Sequence, residues 1–220
     1  HTYDASAGKW NSAYDIYWKD KHTHIDVYGY YPFANPESID NYQFEVQRNQ
    51  STASEDGNMG GYEASDFLWG TVGDLAPTSN VIRLLLKHRM SSAYVTLVQG
   101  EGFAEGEWAA TEKTVLTANV VRKASINLAD GTVKPAGAVE STATIPSQVG
   151  DVWRTIVVPQ TVQAGTTLFS ITIGGVPYKF TKNTALSYVA GKMMKCSIRA
   201  DKKKEDGKNR LTLISESIAP

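Results

Sequence analysis

Four histidines, one cysteine and 23 carboxylates are the side chains of this 220-residue chain that could do acid–base, nucleophilic or metal chemistry. A hydrolytic triad needs a histidine held between a nucleophile and a carboxylate. A zinc site needs three or four convergent His, Cys or carboxylate ligands. His22 and His24 stand two apart and would share a face of a strand, as some zinc ligands do, but Lys19 and Lys21 stand beside them and no third ligand is in view. His88 lies in an apolar stretch beside Met90 and reads as a satisfied structural histidine. Cys196 alternates with Met194 and Ile198 and reads as a small core hydrophobe. A single cysteine also excludes an internal disulfide framework and a cysteine zinc site. Phosphate loop, dinucleotide fingerprint and nucleophile elbow are all absent. Asp130-Gly131 and Asp206-Gly207 are turn dipeptides without the repeated oxygen ligands of a calcium loop. Asn49-Gln50-Ser51 matches a glycosylation sequon, a three-residue pattern common by chance. The expectation is a protein without catalytic set, metal or cofactor.

The elements that must position any site are strands. Val81 to His88 alternates, with Ile82, Leu84, Leu86 and His88 on one face, and is predicted to be a strand. Ala93 to Val98 is apolar on both faces except for Thr96, the pattern of a buried strand. Gly174-Gly175 between two strand-like runs predicts a tight hairpin. Asp201 to Arg210 reads as a charged turn feeding a last strand. Asn49 to Asn58 is polar enough to read as a mobile loop. Short intervals between Pro, Gly and Ser breaks fit sandwiches better than alternating strands and helices. No run approaches the roughly 18 apolar residues of a helical membrane span.

The net charge of −1 hides an asymmetry. Residues 1–79 hold 14 of the 22 aromatic residues and carry 4 Lys/Arg against 12 Asp/Glu, while residues 80–220 carry 18 against 11. Asp74 to Asn80 has the composition of a linker. The reading is an acidic, aromatic-rich β-domain over 1–79 and a basic β-sandwich domain over 80–220. A chain near neutrality has no nucleic-acid partner of the nonspecific, charge-driven kind. Opposite charges on the two parts suit either separate solvated surfaces or a head-to-tail contact between copies.

The aromatic residues offer a binding possibility. Trp10, Trp18, Tyr28 and Tyr30 could stack on sugar rings if exposed, or fill the core of a β-domain with their polar tips at its rim. Around Tyr28, the residues Ile25, Val27, Gly29 and Tyr31 alternate with His24, Asp26, Tyr28 and Tyr30, so one tyrosine set faces outward or toward a second sheet.

The ordered series Ile16-Tyr17-Trp18, Val27-Tyr28-Gly29-Tyr30-Tyr31-Pro32-Phe33, Ser65-Asp66-Phe67-Leu68-Trp69-Gly70, Leu86-Lys87-His88-Arg89-Met90-Ser91, Val157-Val158-Pro159-Gln160 and Ala190-Gly191-Lys192 covers nearly the whole chain. In this order it resembles the fimbrillin-like proteins of Bacteroidales, subunits of type V pili. The resemblance implies an all-β protein of two β-sandwich domains of transthyretin-like build, the first incomplete at its N-terminus. It implies a structural or adhesive, non-enzymatic subunit of a cell-surface fimbrium at the outer membrane, held there by a lipid anchor absent from this chain. Partners would be other copies or related fimbrial subunits, with a host or bacterial surface protein or glycan beyond them. In that family a protease removes an N-terminal strand and a C-terminal strand of the next subunit fills the groove. Carried onto this chain, the donor would be Arg210 to Ile218, with Leu211, Leu213 and Ile218 as its interface residues. The lipobox cysteine and the early arginine of the family are missing, as expected of a matured or truncated form, and the family's terminal aromatic does not follow Pro220, as expected of either a clipped end or a subunit without a long donor tail. The alternative is a carbohydrate-binding surface lipoprotein of the same fold that never polymerises.

Overall fold

The computed structural model describes residues 2–11, 17–55, 58–203 and 205–220. The chain opens with β1 (Thr2–Asp4), β2 (Lys9–Asn11), β3 (Ile25–Tyr31) and β4 (Tyr42–Glu45), then a single helical turn α1 (Gly61–Ala64). It continues with β5 (Leu68–Leu75), β6 (Lys87–His88), β7 (Ser91–Gln99) and a second turn α2 (Glu107–Ala110). Next come β8 (Lys113–Thr117), β9 (Lys123–Asn127), β10 (Thr132–Pro135), β11 (Ser147–Val149) and β12 (Val152–Val157). The last elements are β13 (Gln160–Val162), β14 (Thr167–Ile173), β15 (Val176–Thr181), β16 (Leu186–Tyr188), β17 (Met193–Lys202) and β18 (Asn209–Ala219).

These strands make two sandwiches. In the larger, the sheet β11-β12-β7-β17-β18 faces the sheet β15-β14-β8 and the pair β13-β16. β7 shows why: Ala93, Val95 and Leu97 are buried while Tyr94, Thr96 and Val98 between them are half-exposed, so its period of two places one set in the core. Met194, Cys196 and Ile198 of β17 do the same, as their alternation predicts. Trp153, Phe169 and Ile171 fill the space between. Gly174 and Gly175 both take positive φ, 57° and 78°, and close the β14–β15 hairpin as expected.

The smaller sandwich sets β3-β5-β6 against β10-β9-β4. Its core joins Phe44, Phe67 and Trp69 to Met90, Ile126 and Ile156. The core therefore does not divide at residue 79: β4 from before that point pairs with β9 from after it. Charge segregates along the sequence, but strand pairing decides which residues share a core, and charge does not report it. Arg122 fastens the same junction, bonding Glu45 at 2.7 Å, Glu140 at 2.9 Å and the Val46 carbonyl at 2.9 Å. Burial works against the charged form of Glu140, yet Arg122 and Arg48 together hold its carboxyl below the usual range.

Two predicted segments turn out differently. Only Lys87–His88 of the run Val81 to His88 is a strand. The residues before it cross the face of β3 and β5 where Gly29 pairs with Gly70. A β-carbon on Gly29 would strike the Leu84 side chain, and one on Gly70 the Leu85 carbonyl. The strap thus needs both glycines, and it leaves Val81 and Leu85 in solvent. In the expected loop 49–58, Gln50 is completely buried. β11 pairs with β12 only as far as Arg154, so the backbone of Ile156 lacks a strand neighbour on that side. The Gln50 amide supplies one: Oε1 accepts from Ile156 N at 2.7 Å and Nε2 donates to Ile156 O at 2.9 Å. Gln50→Leu would strand both groups in the core, at a cost of about 1–3 kcal/mol each. The expected result is a urea midpoint shifted down by an amount equivalent to at least about 2 kcal/mol.

Candidate functional site

β18 forms one edge of the five-stranded sheet and runs antiparallel to β17 along its length. Ile198 pairs with Leu213 and Ser197 with Ser215, so Ile214 is an extra residue, a bulge. The bulge inverts the side-chain parity. Leu211 and Leu213 oppose buried Ala200 and Ile198, while beyond the bulge Glu216 and Ile218 oppose buried Cys196 and Met194. Cross-strand partners share a face, so all three predicted interface residues lie on the inner side of the sheet despite their mixed odd and even numbers. They are not equivalent there. Leu211 and Leu213 pack against the larger core, whereas Ile218 is 53% exposed. Between them Glu216 makes an ion pair with Lys182. Burial, with the Glu216 charge adding to it, pushes the Cys196 thiol up to about 12.

The four aromatic candidates are not brought together as one platform. Trp10 lies on β2, but its side chain is outside the described residues. Trp18 is half-buried and its indole N–H donates to the Thr78 carbonyl at 3.0 Å. Tyr30 belongs to the core: its ring packs on Phe67 and Tyr42 with centroids 6.1 Å away in each case, and its hydroxyl donates to the Ala34 carbonyl at 2.7 Å. Tyr28 sits two residues earlier on β3 and is 47% exposed. Tyr17 and Phe33 are more exposed than Trp18, Tyr28 or Tyr30. Sequence reasoning passed over both as site candidates, and only the position of Phe33 just past the end of β3 hinted at it.

Two of the histidines, His24 and His88, pair with carboxylates. His24 Nδ1 meets Asp74 Oδ1 at 2.7 Å in solvent, while the Asp20 carboxylate accepts from the backbone of His22 and Thr23 instead of joining a ligand set. His88, read as a satisfied structural histidine in a dense strand, has a carboxylate partner but no dense strand around it. It stands on the short edge strand β6, 67% exposed at its side chain, with Nδ1 2.7 Å from Asp66 Oδ2. The short β6 ladder explains the difference, because an edge strand of two residues covers little. Among the described residues no hydroxyl or thiol hydrogen-bonds to His88, and no three His, Cys or carboxylate groups converge on a metal position.

A family described as fimbrillin-like matches residues 1–220. No curated protein matches the sequence. Among solved structures, one described as a cell adhesion protein from Bacteroides uniformis aligns with a TM-score of 0.67 at 15% identity, covering 92% of this chain and 75% of that one. A second, described in the same words and from Bacteroides ovatus, gives 0.61 at 12% identity over 97% and 74%. The tip fimbrial protein Mfa3 from Porphyromonas gingivalis, with a C-terminal truncation, gives 0.50 at 11% identity over 82% and 70%. At these identities the likeness is one of fold.

Two measurements follow from the placement of β18. Leu211→Asp with Leu213→Asp puts two charges against the larger core and is expected to unfold the chain or cost more than about 4 kcal/mol in urea titration. Cys196 is expected to resist alkylation at pH 8 in the native state and to react fully once unfolded. Because its proton is held more tightly in the fold than in the open chain, stability should fall as pH rises above the ordinary thiol value toward 12.

Proposed function

The chain belongs to the fimbrillin-like family, a family of structural, non-enzymatic fimbrial and adhesion subunits, and from that premise we propose that it assembles head to tail by strand donation. The family match along the whole chain carries the reading. β18 is the proposed donor. It lies on a sheet edge and has only Arg210 and Glu216 as charges along its eleven residues, so its release from β17 would free one extended, largely uncharged strand.

The proposed acceptor is the free edge of β3. Among the described residues β3 has a ladder partner only on its β5 side. Its seven residues match the length of a short inserted strand, and Ile25, Tyr28 and Tyr31 leave apolar surface beside that edge. An unpaired edge flanked by apolar side chains is a template for strand addition. The acidic character of residues 1–79 against the basic remainder would draw the next copy in before the strand docks. We place the assembled subunit on the cell surface, at the outer membrane.

An unboiled denaturing gel and negative-stain electron microscopy on protein from its native surface test this. The expected result is a ladder of multiples with thin fibres. A single monomer band without fibres would overturn strand donation and favour the non-polymerising alternative. Ile25→Lys with Tyr31→Lys adds charge to the acceptor edge and should leave a folded monomer while shortening the ladder to monomers. Salt should slow the growth rate, which depends on charge attraction, and leave finished fibres intact.

A further inference from the structure

Two cavities meet at His88, where the two sandwiches abut. The first, about 300 Å³, has the outward face of β12, β7 and β17 for a floor. Ile156, Ser92 and Met193 lie in one cross-strand row, and Arg154, Tyr94 and Lys195 in the next. Tyr62 of α1, Asp66, Lys192 and Pro220 wall it. The second cavity, about 410 Å³, lies between Leu86, Lys87, Arg89 and the turn Ala190–Gly191. Junctions between domains are where ligand cavities of roughly 300–1,000 Å³ collect.

The charge around these cavities is unbalanced. Asp66 is engaged by His88. Of the cations lining them, Lys87 and Lys192 make no ion pair among the described residues and Arg89 has only the Asp130 carboxylate in its neighbourhood; Arg154 and Lys195, in the row beyond the lining, make none either, whereas Arg48, Arg122, Arg199 and Arg210 each bond a carboxylate. The guanidinium of Arg154 lies 4.4 Å over the Tyr62 ring, and that of Arg89 lies 4.6 Å over Trp69. Both leave a buried Nε without an acceptor, an uncommon condition in a native protein. Positive charge without partners, set around a recess, favours an anion. Ser92, Tyr62, Tyr94 and Met193 add hydroxyl, aromatic and thioether groups to the lining, the Tyr62 and Tyr94 side chains being hydrogen-bonded to each other. That mixture suits a pyranose, whose C–H face packs on rings while its hydroxyls take hydrogen bonds.

We propose that the joined cavities bind a carboxylated pyranose, a sugar acid of the uronic or nonulosonic class, at the end of a glycan. The proposal rests on the adhesion reading of the family and names its ligand class; it does not depend on strand donation. Lys192 and Lys87 hold the carboxylate, and Tyr62, Ser92 and Tyr94 hold the ring.

Isothermal titration of the full chain at low salt tests it, with the methyl glycosides of N-acetylneuraminic acid and glucuronic acid as probes. Methyl glucoside and a glutamate-rich hexapeptide are the comparators. The expected result is saturable binding of an acidic glycoside with a Kd near about 1 mM, and at least about tenfold weaker binding of methyl glucoside. Lys192→Glu and Lys87→Glu, each at an exposed position with an unchanged melting temperature, should each weaken the acidic probe at least about fivefold. Lys208→Glu, on the distant β17–β18 turn, should not. Absence of saturation by either acid, equal binding of methyl glucoside, tighter binding of the peptide, or unchanged affinity in both charge reversals would overturn the proposal. Because the gel reads assembly and the titration reads the cavities, either proposal can fail while the other stands.

Discussion

The fold depends on an amide used as a piece of backbone. Where β11 stops short, the side chain of Gln50 meets Ile156 through both its oxygen and its nitrogen, as a neighbouring strand residue would. Gln160 does the same to Val121, accepting from its N–H at 2.8 Å and donating to its carbonyl at 2.9 Å. Buried peptide groups must find partners, and these two glutamines provide them where no strand can reach. Each also ties distant parts of the chain together: residue 50 to β12, and the start of β13 to the segment before β9. Removing either would leave a hole in the hydrogen bonding at a point where the two sandwiches share structure.

Around those clamps the smaller sandwich is closed by residues from both sides of the acidic–basic divide. Arg122 reaches Glu45 and the Val46 carbonyl, and Arg48 reaches Glu140 and the Thr142 carbonyl. Taken alone, a surface ion pair contributes little to stability. Here Arg122 is nine-tenths buried at its side chain and bonds three partners, so it fixes how β4 meets β9. The aromatic residues of the first part play the same role. Tyr30, Tyr42, Phe44 and Phe67 form one continuous group of tilted and stacked rings, and its residues sit at the base of the exposed strand that carries Tyr28.

Period-two alternation was enough to read β17, and the Gly174-Gly175 pair was enough to read the β14–β15 hairpin; β7 read as a strand buried on both faces, whereas its Tyr94, Thr96 and Val98 face is only half covered. Alternation misled over Val81 to His88. There the same alternation arises because Leu84 and Leu86 pack down onto a glycine pair, with no ladder to make a strand. The polarity of 49–58 pointed to a loop, and no local signal separates a glutamine in solvent from one that completes a sheet. Of the candidate site residues, Leu211 and Leu213 were legible as an apolar face, and their attachment to β17 was not, since pairing is a property of two segments. His88 was read by its neighbours in sequence, yet its exposure is set by the two-residue length of β6. The cavities beside it gather side chains from α1, β7, β12 and the turn before β17, positions scattered over more than a hundred residues.

The bulge at Ile214 makes β18 a key cut in two sections. From Asn209 to Leu213 the odd-numbered side chains point inward; from Ser215 to Ala219 the even-numbered ones do. A strand shifted by one residue against a regular partner exchanges its faces, and β18 already contains such an exchange. Any sheet edge that takes it in place of β17 can match the Leu211–Leu213 section or the Ile218 section with a regular ladder. Matching both requires the bulge to be kept, with neighbouring residues of the edge facing Leu213 and Ser215 as Ile198 and Ser197 of β17 do. Recognition of this strand is therefore a matter of phase as much as of hydrophobicity, and two chains with equally apolar final strands would be told apart by where the extra residue falls.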